Sequence, residues 1–214
     1  MLENIAIFAG LSQTERQILE QHMVKRTFQK NTVVINEGDE ANSLFIIIEG
    51  TVKVFLSNEE GREIIINTQG PGDHFGELAL LDDEPRSASV MTLSKSSIGV
   101  ISKADFQSVL SKHPELAIKL LTEMTRRVRL LSDNIKTLAL MDVYGRVAKT
   151  LLSLAEQVGE VMVIRNRPTQ QDIANRIGAS REIASGNAVG LPEGQMVTID
   201  GRQLTINEKL PAAY

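Results

Sequence analysis

Between residues 26 and 102 the chain is cut into short β-branched runs by turns that contain glycine, and no other feature limits the fold as much. The runs cover 32–35, 44–48, 51–56, 63–67, 87–93 and 97–101, with Gly38, Gly50, Gly61 and the Gly70-Pro71-Gly72 turn in the breaks. Short strands spaced by turn residues build a sandwich or a barrel, and the reading is a jelly-roll β-barrel. One break differs from the rest. After Phe75-Gly76 the chain reads Glu77-Leu78-Ala79-Leu80-Leu81, residues that favour helix over strand. A helical turn set among strands is a place where main-chain donors can meet a ligand.

Helical patterns flank this region. A short helix is expected over 11–24, with Ser12 as its cap and Glu15 three residues on, and another over 102–110. A long helix starts at Pro114 and runs to about Asp142. Its apolar positions Ala117, Leu121, Met124, Val128, Leu131, Ile135 and Leu138 alternate spacings of four and three, which is the heptad seam of a homodimer. A second set, Leu116, Leu120, Leu130 and Ala139, packs the same helix on its own domain. Helix continues over 143–156, and a short strand is expected at 161–164. Thr169 then opens a helix that Gly178 ends, and Ser180 can cap a second, a helix-turn-helix. Two alternating strands about Asp200-Gly201, over 196–206, form a wing. The fold class is α+β: a β-barrel domain over 1–113, a dimerisation helix over 114–142 and a winged helix-turn-helix domain over 143–214.

Composition narrows the chemistry. There is no cysteine, so no thiolate iron–sulfur cluster and no cysteine nucleophile. Histidine occurs only at positions 22, 74 and 113. The His-x-His metal set of a cupin enzyme is missing, and so are placed axial ligands for haem. The reading is therefore not an enzyme, with no metal, no haem and no iron–sulfur cluster. The N-terminus lacks the basic run of a signal peptide and the longest apolar runs fit strands, so a cytoplasmic protein with no membrane partner is expected. Residues 143–214 carry 8 basic against 7 acidic side chains, a balance that permits nucleic acid without pointing to it.

The break at Gly76 has the chemistry of a phosphate site. Gly76 lets the main chain approach a ligand closely, and the turn through Glu77 and Leu78 supplies N–H donors. Arg86 offers a planar, permanently charged fork and Ser87 a hydroxyl. Glu77 can accept from a ribose 2′-hydroxyl. The competing reading of Arg86 is a structural ion pair with Asp82, Asp83 or Glu84. Taken in order, residues 75–88 closely resemble the phosphate-binding cassette of cyclic-nucleotide-binding proteins. Together with the helix-turn-helix, the chain resembles the CRP/FNR (cyclic AMP receptor protein) family over about residues 5–185. The resemblance implies cyclic AMP as effector, held by Gly76, Glu77, Leu78, Arg86 and Ser87, with Leu131 and Ser132 beside the base. Relatives that respond to cyclic AMP carry threonine then serine at that pair. Leucine at 131 cannot hydrogen-bond adenine, which leaves open weak cyclic AMP binding, another cyclic nucleotide, or a dimer fixed without ligand.

The resemblance also implies double-stranded DNA with a palindromic operator as partner, and RNA polymerase beside it. Thr169, Gln171 and Ser180 would bond phosphates, Arg181 a guanine edge, and Glu182 a cytosine amino group. After Glu182 the family pattern stops. Gly186, Gly190, Gly194 and Pro192 oppose a helix, each interior glycine costing about 1 kcal/mol and an interior proline about 3 kcal/mol. A recognition helix that frays after about Ser185 is expected. The alternative function is a nucleotide-binding dimer with impaired or lost DNA binding, acting as a ligand sink or a partner-binding protein.

Overall fold

The computed structural model describes residues 12–180 and 197–207, together with Ile5 and Phe8. Its contacts divide the chain into two compact units. One comprises Met1–Leu56 and Ile65–Arg129; the other comprises Ser57–Ile64 and Leu130–Tyr214.

In chain order the first part of the molecule runs α1 (Gln13–His22), β1 (Val24–Phe28), β2 (Val33–Ile35), β3 (Ser43–Glu49), β4 (Val52–Ser57) and β5 (Glu63–Gln69). It continues with β6 (His74–Phe75), α2 (Leu78–Leu81), β7 (Ser89–Thr92), β8 (Ser96–Ser102), α3 (Lys103–Lys112) and α4 (Pro114–Leu140). The strands form two four-stranded sheets, ordered β1-β8-β3-β6 and β2-β7-β4-β5. Strand periodicity explains how they pack. On β3, Ile47 turns toward the second sheet, where it meets Ile35, Val52, Val90 and, from its own sheet, Phe75 and Ile98. The alternate residues Leu44 and Ile46 turn the other way, into a core with Leu19, Leu80, Phe106, Leu116 and Leu120 from the four helices. The first sheet is thus covered on both faces, so adjacent residues of β3 are apolar.

The closed jelly-roll barrel expected above is not formed: among the described residues every sheet is open. β6 is only two residues long and pairs with Phe45 and Ile46 before Gly76 leaves the ladder. Register also shifts between Ile47 and Glu49 and between Val33 and Ile35. The sheet edge ends at the helical turn instead of continuing around. Three strands escaped the sequence reading, β1 and the two-residue β6 here and a third in the second unit. β1 overlaps the predicted first helix and is exposed along nearly its whole length, so it lacks the apolar alternation that marks a half-buried strand.

The second unit holds α5 (Val143–Leu154), β9 (Glu156–Val158), β10 (Val161–Ile164), α6 (Gln170–Ile177), β11 (Val197–Asp200) and β12 (Gln203–Ile206). β9, the third missed strand, is exposed throughout. Its sheet runs β11-β12-β10-β9. Asp142 caps α5 by accepting from the Gly145 N–H at 2.7 Å. Val147, Leu151, Ile173, Ala174 and Ile177 close on Val197, Leu204 and Ile206. α6 begins in a reciprocal capping box between Thr169 and Asp172, and ends at Gly178 with φ of 63°. The second helix predicted from Ser180 lies outside the described residues, as do Arg181, Glu182 and the 183–195 stretch.

Candidate functional site

Gly76 follows β6 with φ of 83°, a conformation that L side chains rarely adopt. A Cβ there would also lie 2.6 Å from Arg86 Nη1, so the guanidinium would have to shift. Arg86 is 6% exposed. Its Nη1 donates to the Gly76 carbonyl at 2.6 Å and its Nη2 to the Ser43 carbonyl at 2.7 Å. The Gly38 N–H donates to its main-chain carbonyl at 2.8 Å, and its own N–H donates to the Asp39 carbonyl at 2.9 Å. The guanidinium stands 5.5 Å from the Phe45 ring, which stacks on Phe75 at 5.1 Å. These bonds go to main-chain carbonyls. Of the neighbouring acids, Asp83 pairs with Lys103, and Asp82 accepts from the Glu84 N–H. A cation held by neutral acceptors keeps its charge for an incoming anion. Leu78, at the start of α2, and Ser87, next to Arg86, are both exposed.

Glu77 is 1% exposed. Its Oε1 accepts from Arg127 Nη1 at 2.6 Å, and Arg127 Nη2 donates to the His74 carbonyl at 3.0 Å. Its Oε2 has no hydrogen-bond partner among the described residues. Burial pushes the Glu77 carboxyl above the usual carboxylate range, against the pull of Arg127. A buried acceptor without a donor is costly to leave unsatisfied, and a hydroxyl delivered to it would relieve that cost. Sequence reasoning missed Arg127. The signal was its position on α4, four residues before Leu131 and so on the same helix face. The structure therefore brings Gly76, Glu77 and Arg86 together and adds Ser43 and Arg127. Leu131 and Ser132 belong to the other unit, and both are exposed.

On α4, Leu116 and Leu120 are buried in the core of the first unit, with Met124 packed against it. Leu121, Val128, Leu131, Ile135 and Leu138 are exposed, Ile135 to 66%, and Ala117 is half-buried. Along one helix this is an apolar stripe at heptad spacing, most of it left exposed among the described residues.

At the start of α6, Thr169 and Gln171 line a cleft of about 470 Å³ with Arg167, Pro168, Gln170, Gly201 and Arg202. The Arg167 N–H donates to the Arg202 carbonyl at 2.7 Å, joining the helix entry to the turn between β11 and β12. Arg167 and Arg202 put two cations beside two side chains expected at a DNA backbone. Neither was singled out from sequence; each adjoins a predicted element, one just before Thr169 and one at the wing turn. Gln171 Nε2 donates to Asn175 Oδ1 at 2.8 Å, and Asn175 Nδ2 to Glu63 Oε2 at 3.1 Å. Ser180 is half-buried.

Comparison with known proteins agrees with both halves. Residues 25–113 match the cyclic nucleotide-binding domain, and residues 145–209 match the Crp-like helix-turn-helix domain. The chain is 31% identical over 212 residues to a CRP-like cAMP-activated global transcriptional regulator of Mycobacterium tuberculosis, covering 97% of this chain and 95% of the relative. It is 30% identical over 183 residues to the cAMP-activated global transcriptional regulator CRP of Salmonella typhimurium, covering 84% and 87%. Among solved structures it is similar to the c-di-GMP responsive regulator CLP of Xanthomonas campestris. The TM-score is 0.80 at 22% identity, covering 92% of this chain and 100% of that one. FixK2 of Bradyrhizobium japonicum gives a TM-score of 0.72 at 20% identity, covering 87% and 93%. At these identities the structural matches speak for the fold alone.

Proposed function

Since the chain belongs to the CRP/FNR family of transcription regulators, we propose that it acts as a homodimer that takes cyclic AMP at the Gly76–Arg86 cassette and responds by changing its grip on a palindromic DNA site. It is a DNA-binding, cyclic-nucleotide-binding regulator at the level of its family, and not an enzyme. The observation that carries the ligand reading is the buried Arg86 guanidinium on two neutral carbonyls, with Glu77 Oε2 unpartnered in the same unit. Arg86 supplies a fixed cation for a cyclic phosphate, Gly76 lets the main chain approach, and Leu78 and Ser87 add donors. Glu77 supplies the acceptor for a ribose hydroxyl. Because Arg127 holds the same carboxylate from α4, any re-aiming of Glu77 bears directly on that helix. Ligand that prefers one arrangement of α4 shifts the population toward it.

The working division is a sensor over 1–113, a dimerisation helix over 114–142 and a DNA-binding region over 143–214. Thr169, Gln171 and Ser180, with Arg167 and Arg202 added, take the DNA backbone, while Arg181 and Glu182 read bases. RNA polymerase is the partner at the promoter, and the cytoplasm the place of action. No helix among the described residues is long and apolar enough to cross a membrane. Two features favour a second reading. Leu131 removes a base-facing hydroxyl, which fits a different cyclic nucleotide, and the glycines after Ser185 fit weakened DNA binding.

Calorimetry against cyclic AMP, cyclic GMP and cyclic dinucleotides tests the assignment. Cyclic AMP is expected to bind one per protomer. Arg86→Ala is expected to weaken it by about a hundredfold, the loss of a charge-assisted phosphate contact, with the dimer intact. Leu131→Thr is expected to tighten it by up to about tenfold. Unchanged affinity in Arg86→Ala would remove the cassette assignment, and binding of another nucleotide in preference would replace cyclic AMP.

A further inference from the structure

The turn between β4 and β5 belongs by its contacts to the DNA-binding unit. It is internally braced: Arg62 N–H donates to Asn58 Oδ1 at 2.9 Å, and Gly61 N–H to the Asn58 carbonyl at 2.9 Å. The two residues that follow both engage the C-terminal end of α6. Glu63 Oε2 accepts from Asn175 Nδ2 at 3.1 Å. Ile64 Cδ1 and Leu138 Cδ2 each lie 3.3 Å from where a Cβ of Gly178 would be, so the left-handed cap of α6 sits in a slot between them. Asn175 passes the contact on. Its Oδ1 accepts from Gln171 Nε2 at 2.8 Å, one helical turn earlier. The Gln171 side-chain amide is thereby directed along the helix.

We propose that Glu63 is a positioning residue in an autoinhibitory latch: through Asn175 it holds Gln171 away from the DNA backbone, and release of the latch strengthens DNA binding. This rests on the reading above that Gln171 contacts phosphate. That contact needs the Nε2 group to turn outward, which breaks its bond to Asn175 and loosens the hold on Glu63. The carboxylate adds a second opposition, since a negative charge held beside α6 repels phosphate. A carboxylate, rather than any small polar group, at this position serves both effects.

The test uses the full chain in two measurements. Hydrogen exchange over residues 170–177, without ligand or DNA, is compared among the wild type, Glu63→Ala and Glu63→Gln. Glu63→Ala is expected to exchange about threefold faster, while Glu63→Gln, which keeps the acceptor oxygen, stays near the wild type. Fluorescence anisotropy on a 30-base-pair duplex at fixed salt then reads affinity. Glu63→Ala is expected to bind about three- to tenfold more tightly, and adding Gln171→Ala is expected to cancel the gain. Unchanged exchange in Glu63→Ala overturns the latch. Faster exchange with equal or weaker DNA binding overturns its inhibitory sense. No binding by any variant, with exchange still responding, also overturns the inhibitory sense, because releasing the contact then yields no gain in DNA binding.

Discussion

The carbonyl of His74 accepts two buried side-chain donors, Gln69 Nε2 and Arg127 Nη2, each at 3.0 Å, while its ring Nε2 has no partner among the described residues. Burial, with the Arg127 charge beside it and Glu123 opposing, lowers the ring pKa from 6.5 to about 4. The folded chain therefore resists a proton that the unfolded chain accepts. Above pH 6.5 both states hold a neutral ring and its contribution is complete. As the pH falls from 6.5 toward 4, protonation of the unfolded state removes it, a loss on the order of 3 kcal/mol in all. Urea unfolding at pH 7 and pH 4.5 is expected to show a smaller loss of stability on acidification in His74→Gln than in the wild type; equal losses would place the acid sensitivity elsewhere. At this scale the sequence marked Gly76, Glu77 and Arg86 because their chemistry is local to one short stretch. Arg127 was hidden because its contact with Glu77 spans fifty residues and depends on where α4 lies.

α4 divides its apolar residues between two tasks. Leu116 and Leu120 close the core of the first unit, while Leu121, Val128, Leu131 and Ile135 face outward at heptad intervals. An exposed stripe of this kind is covered by a second copy of the helix when knobs and holes match. Val128→Glu combined with Ile135→Glu is expected to give a monomer in sedimentation velocity while keeping the helical signal of the wild type. A dimer that survived both charges would move the interface off this face. The helix was legible because alternating spacings of four and three over so many turns have no strand reading. α6 was legible from its capping box and its Gly178 stop. β1 and β9 were not: exposed edge strands have no buried face to impose alternation. The closed barrel failed for a different reason. Strand and turn signals count strands, but they do not say which edges pair, and the two-residue β6 ends its sheet at the cassette.

The molecule is two compact units that do not correspond to two uninterrupted lengths of chain. Residues 57–64, from the midst of the sensor sequence, lie with 130–214, and Ile64 and Leu138 together line the slot at Gly178. Gly178→Ala is therefore expected to destabilise the DNA-binding unit by more than an ordinary glycine substitution. The new methyl meets two side chains at 3.3 Å, and the left-handed conformation, φ 63°, penalises any Cβ. Thermal unfolding followed by calorimetry checks this, and a rise in melting temperature would contradict the slot.

A reader domain could be exchanged between such regulators through a single junction in the long helix. In this protein that junction would leave Glu63 and Ile64 with the donor's sensor and carry Asn175 and Gly178 away with the reader. A working chimera would have to transplant residues 57–64 alongside the C-terminal region, as two inserts cut from one parent. The hairpin tip is thereby tied to a helix more than a hundred positions further along the chain.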